Sequence, residues 1–281
     1  MARSTAQSMS PKFALGAEAE SGEGAAFTAP RWVSLVPSLT ETLFALGVGD
    51  QVVGATKFCV HPKEGMEHVQ RVGGTKDPKI DAIVRLRPRL VFANQEENRR
   101  EDVERLRAAG PEVHLSFPRA VADVAPMILD LAQVVGRREE GGRLAERLGE
   151  VVSKVSRARA GGPPVRFLVL IWRDPWMAAT SDTFLSSLLE TAGGVNVIED
   201  SPDGRYPEVS LSEVDDWAPD VVLLPSEPYP FKANHVDELV TGTRIRPSRF
   251  VLCDGELLTW HGSRTAQGLL SASQWLTTSE G

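Results

Sequence analysis

Residues 137–160, RREEGGRLAERLGEVVSKVSRARA, lie at the centre of a 281-residue chain and decide how the rest is read. Leu144, Leu148, Val151, Val152 and Val155 recur at helical spacing and form one apolar stripe, with Arg, Glu and Lys on the other faces. Gly141 and Gly142 weaken the first turn and place the firm start of the helix near Arg143. Gly161-Gly162-Pro163-Pro164 closes it. A helix of about 20 residues spans roughly 30 Å, about the width of a domain. Between two α/β halves it serves as a stiff spine; the alternative is an ordinary surface helix of one larger domain.

An internal repeat favours the spine. Displacing KIDAIVRLRPRLVFANQE by 131 residues lays it on SLSEVDDWAPDVVLLPSE, matching Ile80 to Leu211, Ile83 to Val214, Pro88 to Pro219, Val91 to Val222 and Glu96 to Glu227. The repeated unit is a short amphipathic helix, a proline stop, a buried strand and a loop bearing a glutamate. Each half also opens on a strand, Trp32–Val36 and Arg166–Ile171, followed by a loop and a helix, with Pro37-Ser38 as a turn in the first. The expected fold is α/β with two lobes. Each lobe is a mainly parallel β-sheet flanked by helices, and one long backbone helix joins them, with a ligand cleft between. The expected division is a disordered tail over 1–29, an N-terminal lobe over 30–136, the linking helix over 137–162 and a C-terminal lobe over 163–281.

Composition excludes several classes. Net charge is −7 with no Lys/Arg cluster, which argues against nucleic acid or an anionic membrane surface as partner. Two cysteines, Cys59 and Cys253, are too few for a disulfide scaffold. Residues 1–29 lack the apolar core of a secretory signal, so the sequence as written is expected in the cytoplasm. A different start or export route would place it in the periplasm or at the cell surface.

Ligands of open α/β sheets bind beyond the carboxyl ends of the strands. The loops expected there are Pro37–Thr40, Lys57–His61, Asn94–Asn98, Trp172–Trp176, Pro225–Phe231 and Asp254–His261. They carry Phe58, Trp172, Trp176, Tyr229, Phe231 and Trp260, with Tyr206 close by in Arg205-Tyr206-Pro207. So many large aromatics on loops point to a flat apolar ligand or a partner. No nucleophile elbow, zinc-protease helix, phosphate loop or dinucleotide fingerprint is present, so no catalytic residue is assigned. Cys59-Val60-His61 has metal-ligand spacing but no second close pair, and His261 lies in a cleft loop. Those three residues define the rival reading, a cytoplasmic metal-binding protein or enzyme.

Val33-Ser34-Leu35-Val36-Pro37-Ser38-Leu39-Thr40-Glu41, Arg71-Val72-Gly73-Gly74 and the proline-stopped strands resemble the cobalamin- and siderophore-type substrate-binding proteins of ABC importers, the class with a helical backbone. Trp172-Arg173-Asp174-Pro175-Trp176, Arg205-Tyr206-Pro207-Glu208-Val209-Ser210 and Asp254–Trp260 resemble its cobalamin-binding branch. The resemblance implies non-catalytic binding of cobalamin or a related corrinoid by a monomer, with an ABC permease as partner and no catalytic cofactor. It implies ligand contacts from Pro37, Ser38, Phe58, Glu96, Trp172, Arg173, Trp176, Tyr206, Trp260 and His261, with Trp176 a main apolar contact. It implies permease docking through one acidic residue on each lobe, at positions that fall on Asp81 and on Ser212, with Glu213 next to it as the carboxylate of the second lobe. A siderophore or haem ligand is the alternative within the class, and a cytoplasmic corrinoid carrier without a permease is a third possibility.

Overall fold

The protein is described here by a computed structural model covering residues 29–277, so the tail expected over 1–29 falls, but for Ala29, outside the described residues. The first half runs β1 (Trp32–Ser34), α1 (Pro37–Ala45), β2 (Val52–Ala55), β3 (Gln70–Arg71), α2 (Ile80–Arg85), β4 (Leu90–Asn94), α3 (Arg100–Ala108), β5 (Glu112–Ser116) and α4 (Val121–Val134). Its strands form one parallel sheet in the order β3-β2-β1-β4-β5. The central strands β1 and β4 are buried throughout, as expected where both faces of a parallel sheet are covered. Pro37 and Ser38 are not a turn: Pro37 is the first residue of α1, where its missing N–H leaves nothing unsatisfied and its fixed φ suits the helix.

The second half runs α5 (Arg138–Arg159), β6 (Val165–Trp172), β7 (Met177–Ala178), α6 (Phe184–Thr191), β8 (Gly194–Asn196), α7 (Leu211–Trp217), β9 (Val221–Pro225), α8 (Ala233–Gly242), β10 (Phe250–Cys253), α9 (Gly255–Thr259) and α10 (Thr265–Trp275). The parallel order β10-β9-β6 continues into β8 beside the start of β6 and into antiparallel β7 beside its end. Alternate residues of β6 serve different layers: Phe167 and Val169 join the core shared with α5, α6 and α10, whereas Leu168 and Leu170 join a second core under α7 and α8.

The spine α5 is a full turn longer at its start than expected, beginning at Arg138. The reason is packing: a Cβ on Gly141 would collide with Ala132 of α4. Gly141 lets the two helices approach closely, and that contact outweighs its poor helix propensity. Leu148 and Val155 are buried, while Leu144, Val151 and Val152 pack against the core from its edge. The repeat extends to the backbone. Arg87 (φ 48°) and Ala218 (φ 44°) close α2 and α7 in the left-handed region, each directly before a proline, Pro88 and Pro219. A non-glycine residue there costs on the order of 1 kcal/mol, and both halves carry that cost at the same point.

Candidate functional site

The carboxyl ends of the strands of both sheets meet along a seam. At its floor lies His261, buried and contributed by the segment between α9 and α10. A ring nitrogen lies 3.3 Å from Asn94 Nδ2 at the end of β4, Ser38 Oγ of α1 lies 3.5 Å away, and Phe184 of α6 presents its ring edge-on at 5.9 Å. Burial away from any counter-charge pushes the His261 pKa down to about 4, so the imidazole is neutral. Asn94 also builds the loop beyond β4: its Oδ1 accepts from the Glu96 N–H at 2.8 Å and the Glu97 N–H at 3.2 Å, an Asx turn that projects Glu96.

One rim is held by Glu96. Its Oε1 accepts from Arg205 Nη1 at 2.9 Å and from the Tyr206 hydroxyl at 2.6 Å, both from the other half. Burial and the adjacent Glu96 carboxylate raise the Tyr206 pKa well above its ordinary value, so it stays a neutral phenol. Arg205 Nε donates to the Asp182 carbonyl at 2.5 Å, and Arg119 pairs with the Asp182 carboxylate across the same seam. The other rim is a chain of charges. Arg264 donates to Glu41 Oε2 and Oε1 at 2.7 and 2.6 Å and to Glu256 at 2.5 Å, and His61 lies 3.1 Å from Glu256. Trp260, buried, sits between them, with the Arg264 guanidinium 4.7 Å over its ring and the His61 ring 5.7 Å away.

Glu227, beyond β9, faces this second rim. Burial first, then the charges of Glu256 and Asp254, push its pKa up to about 7 against a hydrogen bond from Trp260. Gly255 makes the close approach possible, since a Cβ there would stand 2.6 Å from the Glu227 backbone nitrogen. Residues 254–261 are only partly a loop: Asp254 Oδ1 accepts from the Glu256 and Leu257 N–H groups and caps α9.

The aromatic residues divide. Trp172, 42% exposed, meets Tyr229 edge-on at 5.5 Å, and Tyr229 packs on Phe231. Trp176 is 8% exposed, stacked on Phe231 at 6.1 Å, with the Arg173 guanidinium 4.7 Å over its face. It belongs to the second core, and Arg173 is itself bound to Glu238 at 3.0 and 2.5 Å. Phe58 is 49% exposed with Lys57 over its ring. Pro37 is half-buried at the start of α1. Asp81 and Glu213 are exposed, but the Glu213 carboxylate already accepts from the Ser210 N–H and hydroxyl as part of a capping box.

Cys59 and Cys253 are free and buried, and the Cys59 sulfur lies 3.1 Å from the Thr40 and Thr56 hydroxyls, inside the first half. Among the described residues no three His, Cys, Asp or Glu side chains are grouped to hold a metal, and no helix is long and apolar enough to cross a membrane. Arg119, Asp182, Arg205, Glu256 and Arg264 were not singled out from the sequence. Their pairings span up to 223 residues, and no local pattern marks them.

A family model described as periplasmic binding protein matches residues 33–240. The vitamin B12-binding protein of Vibrio cholerae is 26% identical over 197 residues, covering 70% of this chain and 71% of its own. That of Yersinia pseudotuberculosis is 27% identical over 196 residues, covering 70% and 69%. Among solved structures, the periplasmic vitamin B12-binding protein BtuF of Vibrio cholerae is similar with a TM-score of 0.77 and 22% identity, over 90% of this chain and 98% of that one. The apo periplasmic heme-binding protein RhuT of Roseiflexus is similar with a TM-score of 0.78 and 26% identity, over 90% and 99%. The match over 33–240, borne on two mainly parallel sheets joined through a long helix, makes this chain a member of the periplasmic binding protein family.

Proposed function

We propose that the chain is the substrate-binding component of an ABC importer, working outside the cytoplasm, and that it takes cobalamin or a related corrinoid between its lobes. On this reading 30–136 and 163–281 are the lobes and 137–162 the connector. Phe58, Trp172 and Tyr206 offer aromatic surface to the macrocycle, Trp260 stiffens the second rim from within, Trp176 and Arg173 back the Phe231–Tyr229 pair on which Trp172 rests, and Pro37, Ser38, Glu96 and His261 shape the floor and rim. Asp81 and Glu213 face the permease. The observation that carries the choice of ligand is that three arginines at the cleft are already bound to carboxylates of the protein itself: Arg205 to Glu96, Arg264 to Glu41 and Glu256, Arg173 to Glu238. Arginines neutralised in this way favour a largely neutral, amide-bearing ligand. An anionic ferric siderophore or the propionates of haem would have to compete for those arginines.

Haem is the second reading, favoured by the similarity to RhuT. Against it, iron ligation by tyrosinate needs an easily lost proton, and Tyr206 donates its proton to Glu96. The test is to incubate separate samples of the purified chain with cyanocobalamin and with haemin, desalt them and record visible spectra. The expected result is a retained corrinoid band at about one equivalent. Retention of haem alone would replace the first reading with the second, and retention of neither would overturn both.

A further inference from the structure

Arg205 is placed more elaborately than a rim ion pair requires. Its Nη1 is satisfied by Glu96 and its Nε by the Asp182 carbonyl, so the guanidinium is pinned from both lobes. Its plane is flanked by the rings of Phe117, 6.0 Å away and partly exposed, and Tyr206, 5.8 Å away. Its remaining nitrogen, Nη2, is buried and has no hydrogen-bond partner among the described residues. A buried N–H of a charged group left unpaired costs about 1–3 kcal/mol, and folded proteins satisfy nearly all such donors. The seam therefore holds a guanidinium tied to both lobes, with one donor nitrogen covered and unsatisfied.

Resting on the reading of the seam as a ligand cleft, we infer that Arg205 is a ligand-anchoring residue whose Nη2 donates to an acceptor oxygen at the periphery of the bound molecule. In a corrinoid that oxygen is either a side-chain amide carbonyl or the phosphodiester of the nucleotide loop. The role of Glu96 is then to position and neutralise the guanidinium, so that Nη2, covered in this structure, meets the ligand without a net positive charge once the exposed Phe117 ring beside it shifts. The alternative for Arg205, a latch that merely holds the lobes together, has the opposite sign: a latch competes with the ligand, so removing it helps binding.

The test is titration of the wild type, Arg205→Ala and Arg205→Lys with cyanocobalamin and, separately, with dicyanocobinamide, which lacks the nucleotide loop. Melting temperatures show that each variant is folded, and Arg205→Lys keeps charge and stem if the alanine variant does not fold. Loss of one charge-assisted hydrogen bond should weaken cyanocobalamin binding about tenfold in both variants. An equal loss for dicyanocobinamide assigns the acceptor to an amide, and a loss confined to cyanocobalamin assigns it to the phosphate. Affinity of either folded variant for both corrinoids within about twofold of wild type, or tighter binding, overturns the anchor role. A wild type that binds neither corrinoid overturns the corrinoid reading instead, and this inference with it.

Discussion

Glu96 and Glu227 occupy the same point of the repeated unit, 131 residues apart, each in the loop beyond a fully buried strand. Their surroundings are opposite. Glu96 reaches across the seam to a guanidinium and a phenol. Glu227 stays on its own side, among Glu256 and Asp254, with the Trp260 indole as donor and no salt bridge among the described residues; its pKa is pushed up to about 7. The repeat fixed where a carboxylate would stand, and each lobe's own loops decided what it does: one accepts from Arg205 and Tyr206 of the other half, the other sits beside the second rim part-protonated near neutrality. Duplicate scaffolds thus yield an asymmetric cleft through loops alone.

The largest expected effect concerns the residue on the seam between the two. His261 has a folded-state pKa near 4 against 6.5 for the free side chain. Between those values the unfolded chain takes up a proton that the folded one refuses, so stability should fall as pH falls from about 6.5 to about 4, by up to about 3 kcal/mol. Denaturant unfolding of wild type and His261→Asn across that range checks it; an equal acid loss in the variant would place the sensitive group elsewhere.

Breaking the paired member comes next. Glu96→Ala leaves Arg205 and Tyr206 without their shared acceptor and should cost about 2 kcal/mol at pH 7, reduced from the fully buried figure because both partners are partly exposed. Glu227→Gln should do the reverse. Because the folded-state pKa of Glu227 is raised, its contribution to stability falls as pH rises from 4.5 to about 7 and stays low above. The glutamine variant should therefore match wild type near pH 4.5 and be about 1 kcal/mol more stable at pH 8. Destabilisation at pH 8 would mean that Glu227 has a cationic partner. The smallest effects separate Asp81 from Glu213, on the equivalent helices α2 and α7. Glu213→Ala removes half of a capping box and should cost about 1 kcal/mol. Asp81→Ala, on a helix with no side-chain cap, should change thermal unfolding by less than about 0.5 kcal/mol. Neither should alter ligand affinity.

Much of the fold was legible because its signals are local. The stripe on α5, the proline stops and the four- and five-residue apolar runs of β4 and β9 each announce themselves within a window of a dozen residues. The readings that failed turned on contacts made elsewhere. Gly141 looks like a helix breaker until Ala132 is placed against it. The two-residue strand β7 is held by β6 on one side and by Pro207 and Glu208 on the other. Pro37 at the head of α1 and Asp254 capping α9 were readable signals that were passed over. Among the aromatic rings of the expected cleft loops, the sequence does not reveal that Trp176 turns inward onto Phe231 while Trp172 stays exposed. The cross-seam pairs were out of reach, since an arginine in a loop does not reveal which carboxylate faces it.

With Arg173, Arg205 and Arg264 neutralised from within, the cleft is expected to take a neutral corrinoid. Calorimetric titration of the wild-type chain with cyanocobalamin at about 50 and about 500 mM NaCl tests it most directly, because only interactions between net charges are screened. One-to-one binding is expected at both salt concentrations, with affinities agreeing within about twofold, and haemin weaker by about tenfold or more. A steep loss of affinity with salt, or haemin binding the more tightly, would contradict it.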